Sequence, residues 1–152
     1  MRLDSALFAY LHHLAAFVVV AMLTVEHALF ASVLSLETAR KLRRIDLYYG
    51  IAAGVLVIVG LLRVFYFEKG AQYYFANTWF LVKLGLFLMV GLVSIYPTIV
   101  FQSWAKGLRA GIAPQMSPVQ VRRVKLALRL EMAAILVILL AAALMARGFG
   151  SR

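Results

Sequence analysis

Four long apolar runs organise the chain: Ala6 to Leu34, Tyr48 to Phe67, Trp79 to Phe101 and Leu126 to Met145. Each approaches or exceeds the roughly 20 residues an α-helix needs to cross the hydrocarbon core of a bilayer. Ser117-Pro118-Val119-Gln120 has capping-box spacing with proline at the first helical position, so the last helix is predicted to begin ahead of its apolar run. Arg122, Lys125 and Arg129 then fall three and four residues apart on one face, at the membrane interface. The pattern predicts an all-α fold, a four-transmembrane-helix bundle, as a single integral membrane domain over 1–152 with helices at about 6–34, 48–67, 79–101 and 118–146. The first run is longer than the roughly 7–15 apolar residues of a signal-peptide core, carries polar side chains and lacks a small-residue cleavage site, so it is read as a retained helix.

Composition agrees. With 64% hydrophobic and 14% charged residues in 152 and a mean hydropathy of +0.92, the chain is too apolar for a soluble domain of this size. The absence of cysteine excludes disulfides, thiolate metal sites and cysteine-based catalysis. The net charge of +10 raises nucleic acid as a partner, but the positions of the charges argue against it. Arg40, Lys41, Arg43 and Arg44 occupy the predicted connection between helices one and two, and Lys106, Arg109, Arg122, Arg123 and Lys125 that between three and four. Four spans put both connections on one side, which the positive-inside rule makes cytoplasmic, with both termini and the connection at Glu68 to Thr78 outside. No stacking aromatics interleave these charges, so the expected partners are the lipid bilayer and its anionic headgroups rather than nucleic acid. Tyr66, Tyr73, Tyr74 and Trp79 suit the outer headgroup zone. Gly50 and Gly54 have the small-xxx-small spacing that serves either internal packing or a homodimer.

Polar residues inside the spans sort into two layers. Helices one and three run inward and two and four outward, so His12, His13, Arg63 and Lys83 belong to the outer layer and Glu26, His27, Arg129 and Glu131 to the inner. Ionisable side chains at such depth are costly unless paired, and Glu26 or Glu131 facing Arg129 of another helix is the expected inner pair. Pro97 interrupts helix three, predicting a kink and a freed Val93 carbonyl that Ser94 or Tyr96 could satisfy. His13 and His27 are spaced to lie about 40° from one helix face and about 21 Å apart along the axis. That spacing resembles the ligand pairs of cytochrome b helices. Three histidines cannot build two bis-histidine haems in one subunit, which leaves a single haem with one imidazole ligand, or histidines that serve packing alone.

The runs Gly60-Leu61-Leu62-Arg63-Val64-Phe65-Tyr66-Phe67-Glu68-Lys69-Gly70, Trp79-Phe80-Leu81-Val82-Lys83-Leu84 and Ser94-Ile95-Tyr96-Pro97-Thr98 resemble a bacterial family of small four-helix integral membrane proteins defined by a domain of unknown function. That resemblance implies the bacterial inner (plasma) membrane and carries no activity. More distantly, Leu11-His12-His13-Leu14 together with the tryptophan-to-lysine-leucine run is similar to HemJ-type protoporphyrinogen oxidases, four-helix membrane proteins that bind haem b. The likeness implies His13 as axial metal ligand, and Lys83 as the catalytic residue, partnering porphyrin carboxylates or a reacting proton. The chain departs from that pattern where the family has a tyrosine-histidine pair, Ser94 standing at the histidine's position, and at Glu26 and His27, where the family has apolar or aromatic residues.

Two readings follow. In one, the bundle is a membrane oxidoreductase holding haem b or a porphyrin, with His13 or His12 on the iron, Arg63 and Lys83 on the propionates, His27 as a further cofactor contact, and a quinone as electron partner. In the other, it is a cofactor-free assembly, transport or regulatory partner of another membrane protein.

Overall fold

A computed structural model describes residues 3–67 and 70–149. Among these the chain is helical throughout its ordered elements: α1 (Leu3–Leu29), α2 (Leu36–Leu62) running on as a π-helical turn (Arg63–Phe67), the short α3 (Ala71–Phe75), α4 (Thr78–Ser103), the short α5 (Ala105–Arg109) and α6 (Pro118–Ala146). The four long helices have 27, 27, 26 and 29 residues, about 39 to 44 Å at 1.5 Å per residue. All four are long and apolar enough to cross a membrane, so the protein is a multi-pass, all-α membrane bundle.

The first helix boundary differs from the apolar runs. α1 ends at Leu29 rather than Leu34, and α2 begins at Leu36, well ahead of Tyr48. Phe30 and Leu34 in the intervening turn are 7% and 4% exposed, so the turn is as apolar as the helix before it. Ser35 sets the new start: its Oγ accepts the Thr38 amide at 3.1 Å, an N-cap that satisfies an otherwise orphaned donor. Arg40, Lys41, Arg43 and Arg44 therefore extend α2 past its apolar segment instead of filling a loop. Likewise Lys106 and Arg109 lie on α5, and Arg122, Arg123 and Lys125 on the opening turns of α6. On the exposed face of α2, Lys41 pairs with Glu37 at 2.7 Å, a contact that water screens and that contributes little.

The expected capping box is present, and the hydrogen bonding near Pro97 differs from the expectation. Ser117 and Gln120 form the reciprocal capping box at 3.2 and 3.4 Å, with Pro118 opening the helix. α4 continues through the buried Pro97, but the Ser94 hydroxyl donates to the Gly91 carbonyl at 2.9 Å rather than to that of Val93. Asn77, 1% exposed, was not anticipated: its Oδ1 accepts the amides of Trp79 and Phe80, and its Nδ2 donates to the Phe149 carbonyl. One side chain thus caps α4 and ties it to the end of α6.

Packing is uneven along the bundle. α1 lies chiefly against α2 and α4 against α6, and α1–α6 and α2–α4 contacts join the two pairs. The main core, including Leu23, Leu42, Phe101, Val124 and Leu128, sits in the half carrying the basic residues. Phe101 is the hub there, its ring 5.9 Å from Phe30 and 5.1 Å from Trp104. At the opposite, distal end a smaller cluster gathers Val64, Tyr74 and Phe80. Only 17 to 28% of the most apolar window of each span is buried inside the bundle, so lipid must cover the remainder. Gly50 and Gly54 face outward with open space where a Cβ would stand, which removes internal packing as the reason for their spacing.

Candidate functional site

At the distal end, residues far apart in sequence converge. His12 on α1 is partly buried and its ring rests on α2 at Gly60, where a Cβ would meet Cε1 at 3.1 Å and Nδ1 at 3.4 Å. A side chain at Gly60 would be tighter against the ring than ordinary packing, and the imidazole would have to give by a few tenths of an ångström. His12 Nδ1 is buried without a well-formed hydrogen bond, although the Leu56 backbone lies beside the ring. Arg63, the first residue of the π turn, and Lys83 on α4 both bring their charges within electrostatic range of this imidazole. Both are held by further interactions in the bundle, and the Lys83 Nζ sits 5.4 Å from the centre of the buried Phe80 ring, a favourable cation–π distance. π turns insert one residue into a helical ladder and occur frequently at functional sites.

His13 stands apart from this group. It is exposed, its Nδ1 2.7 Å from the Ala9 carbonyl one turn back, and its ring meets that of His12 edge-on at 6.2 Å. His27 is exposed too, in the last turn of α1, where a cation or a ring N–H suits the free carbonyls. The helical spacing of His13 and His27 therefore describes an outward face. The sequence favours His13 over His12 as a ligand; in the structure it is His12 that is partly buried with Arg63 and Lys83 in electrostatic range, while His13 is exposed.

The second polar group lies toward the basic end, and here the expected pair is not made. Arg129 is exposed, beside Arg122 and Lys125 in a groove of about 640 Å³ that Ser32, Met116 and Leu126 also line. No ion pair joins it to Glu26 or Glu131 among the described residues. The reason is angular: positions 129 and 131 are about 200° apart on a helix, so when Glu131 turns inward Arg129 turns out. Glu26 and Glu131 are each 1% exposed and each has an Oε1 with no hydrogen-bond partner. The Tyr49 hydroxyl donates to Glu131 Oε2 at 3.0 Å.

Asp46, 4% exposed and not singled out in the sequence, completes the group. Its carboxylate accepts from the Thr98 hydroxyl at 2.6 Å and from Gln102 Nε2 at 3.2 Å, and Gln102 Oε1 accepts in turn from Arg43 Nε at 3.0 Å. The signal was present, since Arg43, Asp46 and Tyr49 follow at three-residue steps on one helix face. It was hidden by treating 34–48 as a connection. Nearby, Arg40 donates to the Leu108 carbonyl at 2.8 Å, so part of the basic cluster is committed to joining α2 to α5. No group of three His, Asp or Glu side chains among the described residues is arranged to hold a metal ion.

No curated protein and no solved structure matches the chain significantly. One family model does, over residues 4–150 and hence nearly the whole bundle. The chain belongs to the family described as "Predicted membrane protein (DUF2214)".

Proposed function

We propose that the distal group binds a haem b or a related porphyrin, and that the protein is a membrane oxidoreductase exchanging electrons with a lipid-soluble quinone. The observation that carries this reading is the partly buried His12 imidazole, seated against a glycine at a helix–helix contact with Arg63 and Lys83 within electrostatic range of it. With Nδ1 packed against α2 at Gly60 and Leu56, it is Nε2 that would serve a metal centre, and cations in a low-dielectric setting suit carboxylates. Such residues fit a planar ligand that carries both. His12 would ligate the iron, while Arg63 and Lys83 would hold the propionates, with Lys83 also placed to carry a reacting proton. When bound, the haem would supply one-electron chemistry, its potential set by the axial ligand and by burial. His12 takes the role that the HemJ likeness assigns to His13 because His12, not His13, stands with Arg63 and Lys83.

The remaining partners fit this reading. The basic end faces the cytoplasm of a bacterial inner membrane, anionic headgroups lie along Arg122, Lys125 and Arg129, and the outward Gly50 and Gly54 leave room for a second copy of the chain.

Protein purified in detergent after expression with a haem precursor should show a Soret band and reducible α and β bands. His12→Ala should abolish them, His13→Ala should retain them, and Lys83→Ala should weaken retention or turnover without removing the ligand. Folded protein lacking haem or porphyrin after such supplementation would sink the redox reading and favour a cofactor-free assembly, transport or regulatory partner.

A further inference from the structure

We propose that Glu26 and Glu131 form a buried proton-binding site that exchanges with the basic face of the bundle by way of Tyr49 and Asp46, with Gln102 positioning the Asp46 carboxylate. This site lies at the end opposite His12 and is independent of the haem reading.

The orphaned oxygens point to a ligand. Glu26 Oε1 and Glu131 Oε1 are both sealed from solvent and both lack a partner, in residues 1% exposed. An acceptor left bare in so apolar a place is destabilising, and a carboxylate escapes that by binding a cation or a proton. The groups facing the pair from each packed helix supply no cation. α2 contributes Asp46 and Tyr49, both within electrostatic range of Glu26 and Glu131. α4 contributes Thr98 and Gln102, neither of which titrates, and both are already donating to Asp46. Arg43, the cation in the network, is bonded to Gln102 rather than to a carboxylate. A metal ion does not fit, because these carboxylates do not converge in metal-ligating geometry. A proton does, since it needs one oxygen and one short hydrogen bond.

The same residues define a route. Tyr49 touches Glu131, and Asp46 lies one helical step nearer the basic end, about 4.5 Å along the axis. Asp46 is bonded to Gln102 and Gln102 to Arg43. Gln102 and Arg43 line a cavity of about 360 Å³ on the basic face, together with Arg40, Arg44 and Arg109. Protons arriving there reach the Asp46 carboxylate, which Gln102 holds in place, and the Tyr49 hydroxyl one helical step beyond it bonds to Glu131, a spaced set of titratable groups of the kind that marks intramembrane proton paths.

Infrared spectroscopy of the purified full-length protein in detergent tests the proposal. The wild type should show the carbonyl stretch of a protonated carboxylic acid, its amplitude following the pH of the solution and its position shifting on transfer to D₂O. Glu26→Gln and Glu131→Gln, which keep shape and hydrogen-bonding capacity, should each lose part of that band, and the double variant should lose it altogether. Gln102→Leu should slow the D₂O shift. Absence of the band in the wild type, a band unmoved by pH, or a band intact in the double variant would overturn the proton site. An unaltered exchange rate in Gln102→Leu would overturn the route.

Discussion

Consecutive helical residues point about 100° apart, and that angle separates His12 and His13 into a half-buried ring on Gly60 and an exposed ring bonded to its own helix. The glycine is as much a part of the site as the histidine. In Gly60→Ala a new Cβ would stand 3.1 Å from the imidazole, and overpacking of this kind costs about 1–3 kcal/mol, more than the roughly 0.5–1 kcal/mol that alanine gains over glycine within a helix. The expected outcome is a lower melting temperature for Gly60→Ala together with a disturbed distal site. Gly54→Ala, where nothing lies within 4 Å, should be neutral or stabilising, and the pair of melting curves checks the argument. At this scale the sequence was partly legible. The residues of the distal group, His12, Arg63 and Lys83, stood out as ionisable groups in apolar surroundings. Which of two adjacent histidines turns inward depends on the rotation of α1 against α2, and that is set by packing along the whole interface. The spacing of Arg129 and Glu131 by itself excludes both from turning inward, so helical phase overrides charge pairing there.

Caps decide where the helices start, and they vary in how plainly the sequence announces them. Ser117 to Gln120 was readable because the serine, proline and glutamine occupy fixed offsets ahead of an apolar run. Ser35 was concealed by the buried Phe30 and Leu34 around it, and with it went the extension of α2 that puts Arg43 and Asp46 on one face. Asn77 could not be recognised from local pattern, since its second role depends on Phe149, distant in the chain. Losing an N-cap costs about 0.5–2 kcal/mol, and Asn77→Ala also leaves the Phe149 carbonyl without its donor. Asn77→Ala should therefore destabilise the bundle more than Ser117→Ala, by about 1 kcal/mol further, the net value of one hydrogen bond. Thermal unfolding of the two variants in the same detergent measures the difference.

For the molecule as a whole, the four spans follow from apolar length alone, while orientation rests on charge. Arg40, Lys41, Arg43 and Arg44 on α2, with Lys106 and Arg109 on α5 and Arg122, Arg123 and Lys125 on α6, all lie at one end of the bundle. Reporter fusions within the α5–α6 connection should accordingly report the cytoplasm, and fusions at the C-terminus the opposite side. A cytoplasmic signal from the C-terminus would reverse the orientation and with it the compartment that supplies protons to Glu26 and Glu131.

The concentration of tight packing in the basic half has a further consequence for traffic. Among the described residues, Leu23, Leu42, Phe101 and Leu128 pack one end, and Val64, Tyr74 and Phe80 form a smaller cluster at the other. Local opening is favoured where packing is thinnest, so the proposed distal site is expected to open at its own end of the bundle. Most of each span faces lipid, so a ligand of the proposed distal site would reach His12 sideways, from among the acyl chains.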